Sequence, residues 1–207
     1  VWKGNTSREF LDNRGLSHYK EGDMGPSYSF NFRHLGADYK GCDKSYVGKG
    51  FDQLQYCIDL IRNDPTSRRI IIDLWDPPKM DQMSLPPCMF LYQFYVSNDK
   101  CLYCHATLRS SDTLLGLPWN IATASLLTIL MANMCDLEPG SVTITANDAH
   151  VYANQLDGIQ TQLSRTPTTF PKLFVETDEK DITKVKWSDL CLLNYKPYPG
   201  IKVPMVV

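Results

Sequence analysis

Strand-like and helix-like runs follow one another along this chain without regular alternation, and that order is what most restricts its fold. The run Ile70-Ile71-Ile72, inside residues 69–75 and bounded by Pro77-Pro78, predicts a buried strand. Residues 88–96, 101–109 and 142–147 predict three more. A short helix starts at Ser7, behind Asn5 and Thr6, and ends at Gly15. Residues 51–61 place Leu54, Cys57, Ile58 and Ile61 at helical spacing before an Asp64-Pro65 stop. Pro118 suits the first position of a long helix that runs to about Cys135 and ends before Pro139-Gly140. Residues 154–165 predict a further helix, ended by Pro167. Residues 21–36, rich in Gly, Pro and aromatics, predict a structured loop with short extended pieces. A parallel, doubly wound sheet needs regular strand–helix–strand units, so the expected class is α+β. No repeat, low-complexity tract or linker divides the chain, and a single domain over residues 1–207 is expected.

Composition narrows the range of partners. With 207 residues, 43% hydrophobic and 21% charged, the chain can bury a sizeable core. The net charge of −2 comes without the basic stripe that a DNA or RNA partner demands, whereas a small anion needs only a few placed arginines. The seven cysteines follow no disulfide spacing, and nothing resembles a signal peptide, which points to a soluble protein of a reducing, cytoplasmic compartment. The longest apolar stretch, residues 126–134, is interrupted by Thr128 and Asn133 and is too short to span a bilayer, so no membrane partner is expected. The start at Val1-Trp2 suggests a segment of something longer.

Three stretches carry chemistry. In Leu85-Pro86-Pro87-Cys88 a thiol follows two prolines at the mouth of an apolar strand, which fixes its approach path. Most free cysteines are simply small buried hydrophobes, so Cys88 alone would not identify a nucleophile. Arg109-Ser110-Ser111-Asp112, followed by Leu115-Gly116-Leu117-Pro118-Trp119-Asn120, supplies a guanidinium, a hydroxyl and backbone amides suited to a phosphate. An arginine near a thiol also favours the reactive thiolate. Asn120, near a helix start, carries both a donor and an acceptor, matching the N3–H and O4 edge of uracil. A capped turn would explain the same stretch. In Asp148-Ala149-His150-Val151-Tyr152, His150 and Tyr152 fall on one face of a strand end and can reach a sugar hydroxyl, or can be core residues. Cys101-Leu102-Tyr103-Cys104 lacks the second ligand pair of a zinc site, so no metal is expected. The charged run 178–186 reads as a solvated loop.

Taken in order, these stretches resemble thymidylate synthase, within the family that also holds pyrimidine deoxynucleotide hydroxymethylases. The match includes Gly22-Asp23-x-Gly25-Pro26-x-Tyr28, Ser67-Arg68-Arg69-Ile70-Ile71, Leu85-Pro86-Pro87-Cys88, Gln93-Phe94-Tyr95-Val96, Arg109-Ser110-x-Asp112, Asp148-Ala149-His150-x-Tyr152-x-Asn154 and Ile201-Lys202-Val203-Pro204. The resemblance implies a mixed sheet packed with helices, one sheet face forming a dimer interface. It implies reductive methylation of dUMP to dTMP with 5,10-methylenetetrahydrofolate, giving dihydrofolate. Cys88 would add to pyrimidine C6. Asn120 would hold the base and stabilise charge on O4. Asp112 would bond backbone or folate, and Tyr28 would join the water chain that moves the C5 proton. Arg109 and Ser110 would hold phosphate, and His150 and Tyr152 the deoxyribose 3′-hydroxyl. Arg68 and Arg69 would reach the phosphate in the partner subunit of a homodimer. Trp2, Asp112, Leu115, Gly116 and Val207 would form the folate side, with residues 201–207 closing over both substrates.

The chain also departs from the family's usual pattern. Met89 stands where the family has His, Thr107-Leu108 where it has Tyr-Gln, Asn147 where it has Gly, and Gln155 where it has a later His. Met89 and Leu108 are expected to surround the pyrimidine. The family's N-terminal portion, with an arginine loop and a glutamate for the catalytic water network, would precede Trp2. A dUMP or dCMP hydroxymethylase on the same fold therefore stays open, as does a non-catalytic relative that binds nucleotide, RNA or protein. Asn120 favours uracil over cytosine.

Overall fold

The computed structural model describes residues 2–206. Helix α1 (Arg8–Asn13) begins where the Ser7 side chain accepts from the Phe10 N–H, and buries Leu11. Helix α2 (Tyr28–His34) lies where a loop was expected. The breaking residues Gly22, Gly25 and Pro26 all precede it, and tertiary bonds offset its poor aromatic propensity. Buried Asn31, for example, donates from Nδ2 to the Leu74 carbonyl at 3.0 Å. Gly25 is obligatory just before it. Its φ is +74°, and a Cβ there would sit 2.0 Å from the Gln82 carbonyl oxygen.

Helix α3 (Gln53–Asn63) follows the expected pattern. Asp52 caps it by accepting from the Gln55 N–H, and Cys57, Ile58 and Ile61 face inward. Strands β1 (Ile71–Asp73), β2 (Met89–Val96), β3 (Cys101–Leu108) and β5 (Glu138–Ala146) form one sheet in the order β1-β2-β3-β5. The first two pairings are antiparallel and β3–β5 is parallel, so the sheet is mixed and the class is α+β.

Strand β5 starts four residues earlier than expected and contains Pro139-Gly140. An edge position tolerates a proline, because one side of the strand needs no donor. Gly140 sits against β3, where a Cβ would meet the Leu102 carbonyl and the Tyr103 ring at 3.0 Å, beside an irregularity in register.

Helix α4 (Gly116–Met134) begins two residues before Pro118, whose missing N–H still falls among the unpaired donors of the first turn. It is long and apolar enough to cross a membrane by length and composition, against the sequence expectation; here it packs on the sheet through Ala124, Thr128, Met131 and Ala132. The core lies between one sheet face and these helices. Ile72, Tyr92, Phe94, Leu102, Cys104, Ala106 and Leu108 meet Cys57, Ile58, Ile61 and Met131 there. The opposite face presents a row in register, Ile71, Gln93, His105 and Thr143, with Tyr95 beside it 62% exposed.

Strands β4 (Ser111–Asp112) and β6 (Ala149–His150) form a second, parallel pair. Helix α5 (Leu156–Leu163) follows a short 3-10 turn. Strands β7 (Lys172–Val175) and β8 (Leu190–Leu193) form an antiparallel ribbon. The charged loop between them is docked at one point. Arg62 donates to the carbonyls of Met134 and Lys180 at 2.7 and 2.9 Å, and Lys180 Nζ donates to the Asn133 carbonyl at 3.0 Å. Cations at the carbonyl end of α4 account for this anchoring.

Candidate active site

The ends of β2 and β3 create the site. Cys88 immediately precedes β2, and its carbonyl accepts from the Arg109 N–H at 2.9 Å, extending the ladder one step past β3. On the other side, the Cys88 N–H donates to the Tyr28 hydroxyl oxygen at 2.8 Å, tying the loop to α2. Burial first, then the neighbouring Cys88 thiol, push the Tyr28 phenol well above its ordinary pKa, so it stays protonated at neutral pH.

Arg109 wraps the same loop. Its Nε donates to the Pro87 carbonyl at 2.9 Å and Nη2 to the Pro86 carbonyl at 3.1 Å. Nη2 also lies 4.0 Å from Cys88 Sγ, and the guanidinium sits over the Trp75 ring at 5.5 Å.

The β4–β6 pair brings the second and third chemical stretches together. Asp112 stands opposite His150 in register, the Ser111 N–H donates to the Asp148 carbonyl at 2.7 Å, and the Thr113 N–H to the His150 carbonyl at 3.0 Å. Asn147 secures this end by donating from Nδ2 to the Leu108 carbonyl at 2.8 Å. Asp112 Oδ1 accepts from the N–H groups of Leu114 and Leu115, both at 3.0 Å, which sets the entry to α4. Asn120 then falls in the second turn of α4. His150 Nδ1 faces the Asp148 carbonyl at 3.1 Å, and its ring packs edge-on against Tyr152 at 4.9 Å.

A cavity of about 230 Å³ lies between these segments. Cys88, Arg109, Ser110, Asp112, Asn120, His150, Tyr152 and Tyr28 all line it. So do Trp2, Leu115 and Gly116, the described residues expected on the folate side, and the Trp2 ring stacks on Tyr28 at 6.0 Å. Met205 and Val206 form part of the wall, while Val207 lies outside the described residues.

Arg68 and Arg69, expected at a partner's site, lie outside this cavity and are exposed just before β1, with no salt bridge among the described residues. One expectation needs correction: Met89 and Leu108 do not surround the cavity. They face each other in register and are buried in the core, because strand alternation turns them away from the side that carries Cys88 and Arg109. Asn5 and Trp119 line the cavity without having been singled out. Asn5 is 1% exposed and its Oδ1 has no hydrogen-bond partner among the described residues, which nothing in the sequence around it signals.

A family model described as thymidylate synthase matches residues 1–207. The chain belongs to the thymidylate synthase family. A bifunctional dihydrofolate reductase-thymidylate synthase of Zea mays is 46% identical over 207 residues, covering 100% of this chain and 40% of that protein. The thymidylate synthase of human herpesvirus 8 is 45% identical, covering 100% of this chain and 61% of its own length. That of Saccharomyces cerevisiae is 44% identical, covering 100% and 71%. The chain thus spans about two-fifths of the bifunctional relatives and less than three-quarters of these two thymidylate synthases.

Proposed function

We propose that this chain carries the catalytic centre of an enzyme that converts dUMP and 5,10-methylenetetrahydrofolate to dTMP and dihydrofolate. The observation that carries the proposal is the convergence of a thiol, a guanidinium 4.0 Å from its sulfur, a carboxamide and a His–Tyr pair on one cavity. Each group suits one part of a pyrimidine deoxynucleotide. Arg109 and Ser110 hold the phosphate, His150 and Tyr152 the 3′-hydroxyl, and Asn120 the N3–H and O4 edge. Cys88 Sγ then adds to C6, and the charge that develops on O4 is met by the Asn120 amide. Tyr28, kept neutral by burial, accepts from the Cys88 N–H and relays the C5 proton: its oxygen takes that proton by way of water while its own O–H proton passes to the next water and on to solvent.

The folate cosubstrate supplies the one-carbon unit and the hydride. The far wall of the cavity fits it: the Trp2 indole can stack on a flat heteroaromatic ring, Leu115, Met205 and Val206 give apolar contact, and Asp112 Oδ2 is an acceptor for ring N–H groups. Residues 201–206 close this side, with Met205 and Val206 on the cavity wall.

The same proposal includes a homodimer built on the exposed sheet face. The in-register row Ile71, Gln93, His105 and Thr143, flanked by exposed Tyr95, favours it. Arg68 and Arg69 lie at the start of β1 in that sheet, and each would serve the partner's phosphate. Seven free thiols favour a reducing, cytoplasmic setting.

The test is the mass of the product formed from dUMP and methylenetetrahydrofolate, together with trapping of nucleotide on Cys88. A methylated product is expected. A hydroxymethylated product moves the assignment to a hydroxymethylase, and nucleotide capture by a Cys88→Ala variant removes Cys88 as the nucleophile.

A further inference from the structure

Gln155 lies outside the cavity, yet it touches two of its walls. The side chain is 1% exposed, and its single amide nitrogen meets two acceptors: Asp112 Oδ2 at 3.3 Å and the main-chain carbonyl of Pro204 at 3.0 Å. The amide oxygen Oε1 is buried, with no hydrogen-bond partner among the described residues. The orientation of the amide follows from this. Turned over, it would set a carbonyl oxygen against two other oxygens and leave its two protons without acceptors.

Gly158, one turn further along, completes the contact. It is buried in α5, and a Cβ there would lie 2.5 Å from Val203 Cγ1, 3.2 Å from Leu114 Cδ2 and 3.3 Å from Ile201 Cγ2. The C-terminal strap, residues 201–206, is therefore seated directly on the start of α5, with Leu114 of the Asp112 turn against the same spot. Beyond that seat, Met205 and Val206 reach the cavity wall.

We propose that Gln155 is a positioning residue that couples the C-terminal strap to the Asp112 carboxylate. One neutral amide nitrogen, with two protons, holds both. The strap is then bound in the position that roofs the cavity, and Asp112 is held with Oδ1 on the turn amides and Oδ2 turned between Gln155 and the cavity. The histidine usual in the family could not do this with one atom, because neutral imidazole carries a single N–H. The kinetic consequence rests on the function proposed above: Gln155 acts on the cosubstrate side of the cavity and not on the nucleotide side.

Two measurements on Gln155→Met, which keeps the volume and removes both donors, test this. Lys202 is exposed within the strap, so trypsin can cut after it only when the strap lifts from Gly158. Exposed Lys49, in a distant loop, is the control site. Cleavage after Lys202 should rise about tenfold in the variant, with the rate at Lys49 unchanged, since cleavage follows the population of the locally opened form. The KM for methylenetetrahydrofolate should rise about tenfold while dUMP binding stays within twofold. An unchanged rate at Lys202, or a rise shared equally by Lys49, overturns the coupling. If the unaltered protein makes no product, the kinetic arm falls with the proposed function, and the proteolysis arm still decides the role of Gln155. Gln155→His, which keeps one donor, is the second variant should Gln155→Met fail to fold. It should give a smaller rise at Lys202, and no rise overturns the proposal.

Discussion

Replacing Tyr28 by Phe removes one oxygen and nothing else from the site. The ring still stacks on Trp2 and still packs against the core, so the structural cost is confined to one hydrogen bond, the 2.8 Å contact from the Cys88 N–H. Cys88 is half-buried, and water can replace the lost acceptor in part. The loss should therefore be about 1 kcal/mol. For a domain of this size that lowers Tm by roughly 2–4 °C. If the phenol only held the backbone of Cys88, 1 kcal/mol would slow catalysis by about fivefold to tenfold. A phenol that also passes a proton contributes much more, on the order of 10²–10⁴ in rate.

The expected outcome for Tyr28→Phe is a fall in kcat of at least about a hundredfold, with dUMP binding little changed and covalent capture on Cys88 retained. Steady-state product formation, together with release of tritium from C5-labelled dUMP, separates these steps. Tritium release should fall with kcat, because proton removal from C5 is the step affected. A fall in kcat below about tenfold, with a normal tritium-release rate, would refute the reasoning and leave Tyr28 as a structural acceptor only.

Three further outcomes follow. Mixing inactive Cys88→Ala subunits with Arg68→Ala/Arg69→Ala subunits under exchange conditions should restore about a quarter of full activity, since half the dimers would be mixed and each mixed dimer would hold one complete site; no recovery would place the arginines outside the partner's site. Stability should fall on the alkaline side, because burial raises the Cys57 thiol to about 12 and the Cys104 thiol to about 11. The unfolded thiols ionise from about pH 9 while the folded ones stay protonated, so stability is fully present below that pH and is lost above it at roughly 1 kcal/mol per pH unit per thiol; urea titrations at pH 8 and 10.5 on Cys57→Ala/Cys104→Ala should show a flatter limb. Gly25→Ala should cost about 2 kcal/mol or more, because its Cβ collides with backbone at a positive φ, and the urea midpoint measures it.

The long or strongly apolar elements were legible in the sequence, and those that depend on distant partners were not. Helix α3 could be read from its spacing and its Asp64-Pro65 stop, and β1 to β3 from their apolar runs. Helix α2 could not, because what holds it is a bond from Asn31 to Leu74 and another from Cys88 to Tyr28, each crossing more than forty residues. The early start of β5 was hidden behind Pro139-Gly140, which ends most elements and is tolerated here only at the sheet edge. The motif residues Cys88, Arg109, Asp112, Asn120, His150 and Tyr152 were legible as a group and line one cavity, whereas Met89 and Leu108, also expected there, do not. Asn5 escaped because a buried asparagine beside a helix start looks like a cap. The placement of Met89 and Leu108 near the base was avoidable: period-two alternation from Cys88 and Arg109 already turns both toward the core.

Arg109 shows how a chain of net charge −2 can be suited to an anionic ligand. Its guanidinium has five N–H donors in a fixed fork. Bonds to the carbonyls of Pro86 and Pro87 use two of them, and the Trp75 ring supports its face. These contacts hold the Pro86-Pro87-Cys88 loop and fix the guanidinium beside the cavity before any ligand arrives, with donors left over. The side-chain entropy that a free surface arginine loses on binding is then already spent in folding. One arginine held in this way can do locally what a loose basic surface does only by number. The same bonds make the Cys88 thiol and the Arg109 guanidinium a single rigid unit, so a change that frees Arg109 would disturb both together.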